Sequence, residues 1–289
     1  MKVSGFTIIK NAIIHDYPVL EAIQSVLPLC DEFIVNVGQS DDKTLELIQS
    51  IDSTKIKIYE TIWDQNLRKG GSVLAVETDK ALANVSNDTD WCFYIQSDEV
   101  LPEKYHDAVV IAMKKHLTNE NVDGLLFKYL HFYGSYEYIA SSSSWYKNEI
   151  RVIRKNNSIF SYKDAQGFRK KPNEKLSVKE IDAFIYHYGW VKDPRLMQNK
   201  QKYFQKLWHD DDWIEKHVQK GEYFDYSGID SLNKFNDVHP SVMQKRIKEK
   251  NWEFDFDLTM NKISLKDNLK DFMKKHFGLD FNYKNYKII

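Results

Sequence analysis

A chain of 289 residues with 42% hydrophobic content can bury a full core, as one large domain or one domain with a sizeable extension. Its formal net charge of −1 excludes a general nucleic-acid binder, which needs a basic field. The two cysteines, Cys30 and Cys92, both sit in apolar surroundings, which argues against a disulfide framework or a zinc cluster.

The opening residues lack the shape of a signal peptide, and no apolar run reaches the roughly 18 residues that span a bilayer. A reducing, cytoplasmic setting is therefore expected, with peripheral membrane contact left open. The aromatic content of 14% suits stacking on sugars or bases but equally suits a bulky core, so it discriminates nothing.

Residues 3–9 are rich in β-branched side chains and read as a first, interior strand, ended by Lys10-Asn11. Asp16-Tyr17-Pro18 opens a helix, with a candidate cap and a proline in the first turn. Val19, Leu20, Ile23, Val26 and Leu27 follow at helical spacing. Residues 33–37 form a second strand, closed by Gly38-Gln39-Ser40-Asp41-Asp42. Asp41 or Asp42 can cap the next helix, whose Leu45, Ile48 and Ile51 face inward. After a third strand at 56–62, the loop Asn66-Leu67-Arg68-Lys69-Gly70-Gly71 leads into a helix carrying Leu74, Ala81, Leu82 and Val85.

Residues 90–101 read Asp-Trp-Cys-Phe-Tyr-Ile-Gln-Ser-Asp-Glu-Val-Leu. The uncharged run 91–95 has the composition of a strand covered on both faces. The order βαβαβαβ within roughly 100 residues predicts a mostly parallel sheet with right-handed crossovers. Beyond Pro102 a helix near 102–117 gives way to strands at 124–133, 149–154, 158–162 and 184–188, in a mixed or antiparallel continuation. From Pro194 to the end the chain reads as mostly helical, charged and aromatic, giving a body at 1–193 and a helical extension at 194–289. Asp210-Asp211-Asp212 reads as a helix start. Leu265, Leu269, Phe272 and Met273, with Lys266, Lys270, Lys274 and Lys275, form a stripe that packs on the body or rests on an anionic membrane.

Four features fall at the carboxyl ends of the parallel strands, where open α/β sheets place ligands. Asn11 ends the first strand, and Asp41 and Asp42 end the second. Arg68-Lys69-Gly70-Gly71 precedes a helix and offers fixed charge and backbone amides to an anion, although a plain turn also explains the glycines. Gln96, Asp98 and Glu99 end the fourth strand, where oxygen ligands suit Mg²⁺ or Mn²⁺ and a shared diphosphate. A strand running into a helix cap is the plainer reading of the same acids.

The segments 6–11 (Phe-Thr-Ile-Ile-Lys-Asn), 32–44 (Glu-Phe-Ile-Val-Asn-Val-Gly-Gln-Ser-Asp-Asp-Lys-Thr) and 91–101 resemble, in order and spacing, the opening of a family 2 glycosyltransferase. The Gln-Ser-Asp-Glu form, with Leu-Arg-Lys-Gly-Gly at 67–71, resembles a bacterial subgroup of that family. Trp145-Tyr146, Arg151-Val-Ile-Arg154, Asp164-Ala-Gln-Gly-Phe-Arg169 and Tyr186-His-Tyr-Gly-Trp190 extend the likeness over about 200 residues. The resemblance implies a GT-A (Rossmann-like) fold, a nucleotide-sugar donor, a divalent metal, a glycan or lipid-linked acceptor, and inversion at the anomeric carbon. It also implies a place in surface-polysaccharide assembly.

Carried over by position, Asp98 is the metal-binding second acid of the family's Asp-X-Asp motif, and His187 falls at a further metal or diphosphate contact. Asn11, Asp42, Arg68, Gly70, Gly71 and Gln96 fall on the donor side. Asp164 is the first candidate for the base that deprotonates the acceptor hydroxyl, Glu99 the second and Glu149 the third. Trp145, Tyr146 and Trp190 are candidate sugar platforms, or simply packing. Two residues depart from the pattern. Gln96 replaces the first acid of the motif, so it either weakens metal binding or contacts the donor itself. Val37 stands where the aspartate that reads the nucleobase is usual, which leaves the base open. Both departures keep a rival alive, an inactive sugar-nucleotide-binding or scaffold protein. A nucleotidyltransferase fits less well, because Lys10-Asn11-Ala12 is not the Gly-rich basic loop it needs.

Overall fold

The computed structural model describes residues 1–64, 66–67, 69–217, 221–262 and 284–289. Its first part is the expected alternation: β1 (Val3–Ile9), α1 (Val19–Val26), β2 (Glu32–Gly38), α2 (Thr44–Gln49), β3 (Ile56–Thr61), α3 (Ser72–Ala83) and β4 (Trp91–Tyr94). These strands run parallel in the order β3-β2-β1-β4. β1, β2 and β4 are buried along their whole length, because each is covered on both faces. The chain moves outward from β1 to β3 and then returns to place β4 on the other side of β1. That reversal makes the crevice beyond β1 and β4 a topological switch point.

The second part is mixed. It comprises β5 (Glu99–Val100), α4 (His106–Lys115), β6 (Gly124–Tyr133), β7 (Tyr138–Ala140), β8 (Asn148–Arg154), β9 (Ile159–Tyr162), β10 (Gly167–Lys170) and β11 (Glu174–Trp190). β8 lies antiparallel to both β4 and β6, and β11 then runs parallel to β6. The result is one mixed α/β sheet, parallel first and curled after, with helices on its faces, as expected. One core packs α1 and α4 against one side, through Val19, Ile23, Val26, Val109 and Met113. A second lies under α3 on the other side, through Val73, Ala81, Leu82, Phe6 and Tyr94.

Several local expectations are corrected. Asp16 does not cap α1, whose cap residue is Pro18 with no side-chain bond; the Asp16 carboxylate pairs with Arg246 instead, at 2.7 Å. β11 begins at Glu174, ten residues before the expected strand. Its inward positions change phase where a bulge lies between Glu180 and Phe184, which hides the period of two.

The tail opens with two helices, α5 (Pro194–Lys206) and α6 (Asp211–His217), where Asp210 caps Trp213 N at 2.8 Å. Residues 221–262 hold β12 (Leu232–Lys234), α7 (Gln244–Lys248), single 3₁₀ turns and irregular chain, rather than the mostly helical chain expected. They stay in place by aromatic packing, with Tyr226, Phe224, Phe254 and Phe256 clustered against Tyr133 and Tyr138. β13 (Tyr286–Ile288) returns to pair with β11, so the tail is interleaved with the body. The apolar-basic stripe at 265–275 lies outside the described residues. Among the described residues, no helix is long and apolar enough to cross a membrane.

Candidate active site

A cleft opens beyond the carboxyl ends of β1 and β4. Ile8, Ile9 and Lys10 line it from β1, Tyr94, Gln96, Ser97 and Asp98 from β4, and Asp164 and Ala165 from the β9–β10 turn. His187 and Trp190 enter from β11, and Lys200, Tyr203 and Phe204 from α5. Asp98, Gln96, Asp164, His187, Tyr146 and Trp190, all singled out from the sequence, therefore share one cavity.

The loop that carries Asp98 is clamped by a buried ion pair. Arg151 donates from Nε and Nη2 to the two oxygens of Glu99, both at 2.7 Å, and both side chains are 0% exposed. Tyr129 and the Gln96 backbone amide also donate to that carboxylate, at 2.8 and 3.1 Å. Glu99 is thus saturated and sealed from the cleft, which removes it as a base; it is a clamp. Arg151 also donates to the Gln166 carbonyl at 2.9 Å, and Gln96 Nε2 to the Ala165 carbonyl at 3.1 Å. The same network therefore fixes the turn bearing Asp164 relative to the loop bearing Asp98.

That turn is strained. Lys163 and Ala165, on either side of Asp164, have φ of 57° and 63°. The other two non-glycine residues with positive φ among the described residues are Asn11 and Asp16, in the segment following β1. Left-handed backbone at non-glycine positions costs on the order of 1 kcal/mol each and clusters at functional sites. Burial raises the Asp164 carboxyl above the usual carboxylate range, against backbone hydrogen bonds and Lys163 that lower it. A raised carboxyl is a stronger base once ionised.

Asp98 and His187 face each other, Oδ1 to Nε2, at 3.7 Å. His131 Nε2 lies 2.7 Å from the Tyr146 carbonyl, so it must be the donor there. Burial, then the neighbouring His187, pushes the His131 imidazole down to about 3, so it is neutral and its Nδ1 accepts. His187 Nδ1, 3.1 Å from that atom, is therefore the donor of the pair. With Nδ1 as the donor, the neutral tautomer of His187 would carry its lone pair on Nε2, the ring atom that faces the Asp98 carboxylate. Two acceptors so placed suit a cation between them, with the imidazole oriented by a partner behind it. Gly189 makes the room: a Cβ there would lie 2.6 Å from Asp98 Oδ2 and 2.7 Å from His187 Nε2.

These two ligands fit a hard divalent ion that completes its shell with water and phosphate oxygens, as Mg²⁺ commonly does. Among the described residues, no group of three or more His, Cys, Asp or Glu side chains forms a self-sufficient metal cage.

Lys200, which no motif marked, donates to Asp98 Oδ2 at 3.2 Å and to the Gly189 carbonyl at 2.8 Å. Burial alone would raise the Asp98 carboxyl; Lys200, His187 and Lys192 outweigh it and hold it well below the usual carboxylate range. Burial, then Lys200, lowers the Lys192 ammonium to about 7. Trp63 is another wall residue outside the predicted set; it packs on Gly38 at the end of β2. Only an isolated aromatic after β3, a lysine just before α5 and another within it carried these positions in the sequence.

The remaining candidates fall elsewhere. Asn11 is a clip, donating from Nδ2 to Asp41 and accepting from the Asp41 amide, at 3.1 and 2.7 Å. Asp42 accepts from the amides of Ile13, Ile14 and Thr44, which ties the β1–α1 loop to the start of α2. Trp145 lies outside the cleft, lining a neighbouring cavity behind His131 and Tyr146. Glu149 is buried beside Gly167 and away from the cleft, which removes the third candidate base. Gly70 and Gly71 adopt φ of 62° and 69° before α3, and a Cβ on Gly71 would meet Asp164 Cβ at 2.8 Å. Gly71 therefore packs directly on the Asp164 turn, whereas Gly70 faces open space. Arg68 lies outside the described residues.

No family model and no curated protein matches the chain. Among solved structures it is similar to S. aureus TarS, at 16% identity and a TM-score of 0.43, over 70% of this chain and 39% of that one. It is similar to TarS 1–349 in complex with UDP at 13% identity and a TM-score of 0.42, over 77% and 68% of the two chains. A third is glucosyl-3-phosphoglycerate synthase from Mycobacterium tuberculosis in complex with Mn²⁺, UDP and glucosyl-3-phosphoglycerate. There the identity is 22% and the TM-score 0.31, over 46% of this chain and 45% of that one. The chain thus spans about two fifths of the full TarS structure.

Proposed function

We propose that this chain is a GT-A glycosyltransferase of the family 2 type. It moves a sugar from a nucleotide-sugar donor to a glycan or lipid-linked acceptor with inversion, in surface-polysaccharide assembly. The observation that carries the reading is the convergence of Asp98, His187 and Asp164 on one cleft at the switch point of a parallel sheet. The body at 1–193 carries most of that cleft, and α5 of the extension closes one side.

In this reading Asp98 and His187 hold a divalent metal, Mg²⁺ or Mn²⁺. When bound, such an ion stabilises the negative charge that develops on the leaving diphosphate. In this reading the amides at the start of α3, after Gly70-Gly71, attract the diphosphate, since helix N-termini favour an anion. Asp164 takes the proton of the acceptor hydroxyl as that oxygen attacks the anomeric carbon from the face opposite the diphosphate. Its raised carboxyl and its fixed turn suit that task. Trp190 and Tyr146 line the cleft on the same side as His187 and serve as sugar contacts. Trp63, beside Ile8 and Ile9, is placed to lie against a nucleobase where Val37 supplies no carboxylate.

Calorimetric titration of UDP, GDP, dTDP and CMP, each with Mn²⁺, tests the site. One nucleotide is expected to bind, with affinity lost by at least tenfold in Asp98→Asn, the scale of one charged ligand. Unchanged affinity in that variant would remove Asp98 from the donor site.

A further inference from the structure

The ammonium of Lys200 occupies an unusual position. It is 8% exposed, shares Asp98 with the direction of His187, and lies 5.0 Å from the centre of the Tyr17 ring. Its carboxylate partner is the residue read above as a metal ligand, so the inference rests on that reading. A cation arriving between Asp98 and His187 takes the carboxylate charge that now neutralises Lys200. A buried ammonium facing a divalent ion needs a new anion, since an unpaired buried charge is costly. The neighbouring group on that side is the Lys192 amine, whose Nζ donates to the Asp16 carbonyl, rather than a carboxylate that could take the place of Asp98.

α5 presents Lys200, Tyr203 and Phe204 to the cleft at helical spacing, with Leu207 just beyond its end, so the Lys200 side chain sits in the cleft wall. A lysine suits exchange between partners, being a compact charge on a flexible four-carbon stem with three donors.

We propose that Lys200 is a diphosphate-binding residue whose resting partner is Asp98. Metal entry releases its ammonium from the carboxylate, and the ammonium then binds a phosphate oxygen of the donor. Lys200 therefore competes with the metal in the free protein and cooperates with it once diphosphate is present. A merely structural ion pair would do only the first of these.

The test uses Mn²⁺ alone and inorganic pyrophosphate, which carries the shared chemistry of any nucleoside diphosphate. Free Mn²⁺ is followed by electron paramagnetic resonance, and pyrophosphate binding by calorimetry at saturating Mn²⁺. In Lys200→Met, Mn²⁺ alone is expected to bind about tenfold tighter and pyrophosphate about tenfold weaker, the size of one charged hydrogen bond. Lys200→Arg should restore pyrophosphate binding. Because Lys200→Met leaves Asp98 unpaired, its melting temperature should rise more on adding Mn²⁺ than that of the wild type. Unchanged or weaker Mn²⁺ binding, or unchanged pyrophosphate affinity, would overturn the exchange while leaving the donor site standing. A wild-type chain that binds neither probe would overturn the donor site as well.

Discussion

At the scale of single residues, one buried and one half-buried acid divide the work that the sequence left shared. Glu99 gives both oxygens to Arg151, whereas Asp164 lines the cleft on a strained turn. Glu149 is a third case. Burial pushes its carboxyl up to about 7, against the opposing charge of Arg151. A carboxyl raised in the folded state stabilises the fold fully below its unfolded value, and that stability is lost as pH rises through about 7. Glu149→Gln mimics the protonated form. Denaturation at pH 5 and pH 8 is therefore expected to show the wild type losing about 3 kcal/mol relative to this variant, on the scale of 1.36 kcal/mol per unit. Parallel curves for the two proteins would contradict the assignment.

Asp98, His187 and Asp164 were legible in the sequence because each sits in a motif with local order. Lys200 and His131 were not, because their roles arise from contacts between segments far apart in the chain. Lys200 lies 102 residues from Asp98, and His131 lies 56 from His187.

At the scale of elements, β11 does two jobs at one end. It carries His187 and Trp190 into the cleft and leaves a gap at Gly189 that Asp98 and His187 fill. The atoms a Cβ would meet there are the ends of side chains rather than backbone. Gly189→Ala is thus expected to keep the fold and displace the ligands, with Mn²⁺ affinity falling at least tenfold on the scale seen when ligand orientation is lost. Circular dichroism and Mn²⁺ titration check both halves; an unchanged Mn²⁺ affinity would show that the gap is not a metal cradle. The parallel strands were legible because doubly covered strands are continuous apolar runs. β11 was legible only at its apolar end, since the bulge shifts its alternation and charged residues hold its first half. The stretch 221–262 defeated periodicity for another reason: its aromatics pack as separate anchors from irregular chain, with no repeating face.

At the scale of the whole molecule, the parallel half, the antiparallel continuation and the tail each contribute one wall of a single cleft. The first wall supplies the carboxylate proposed to hold the metal, the second the proposed base and the imidazole, and the third the ammonium. The account therefore stands or falls on chemistry in that cleft. The most direct measurement is release of the free nucleotide (UDP, GDP, dTDP or CMP) from a panel of UDP-, GDP-, dTDP- and CMP-sugars with Mn²⁺, in wild type and Asp164→Asn. Release of the nucleotide is expected from one donor class in the wild type. In Asp164→Asn the same donor should still bind, while release falls by 10²–10⁴-fold, the range of one general base. A wild-type chain that binds a donor yet releases nothing, with or without a glycan acceptor, would contradict the transferase and leave a sugar-nucleotide-binding protein.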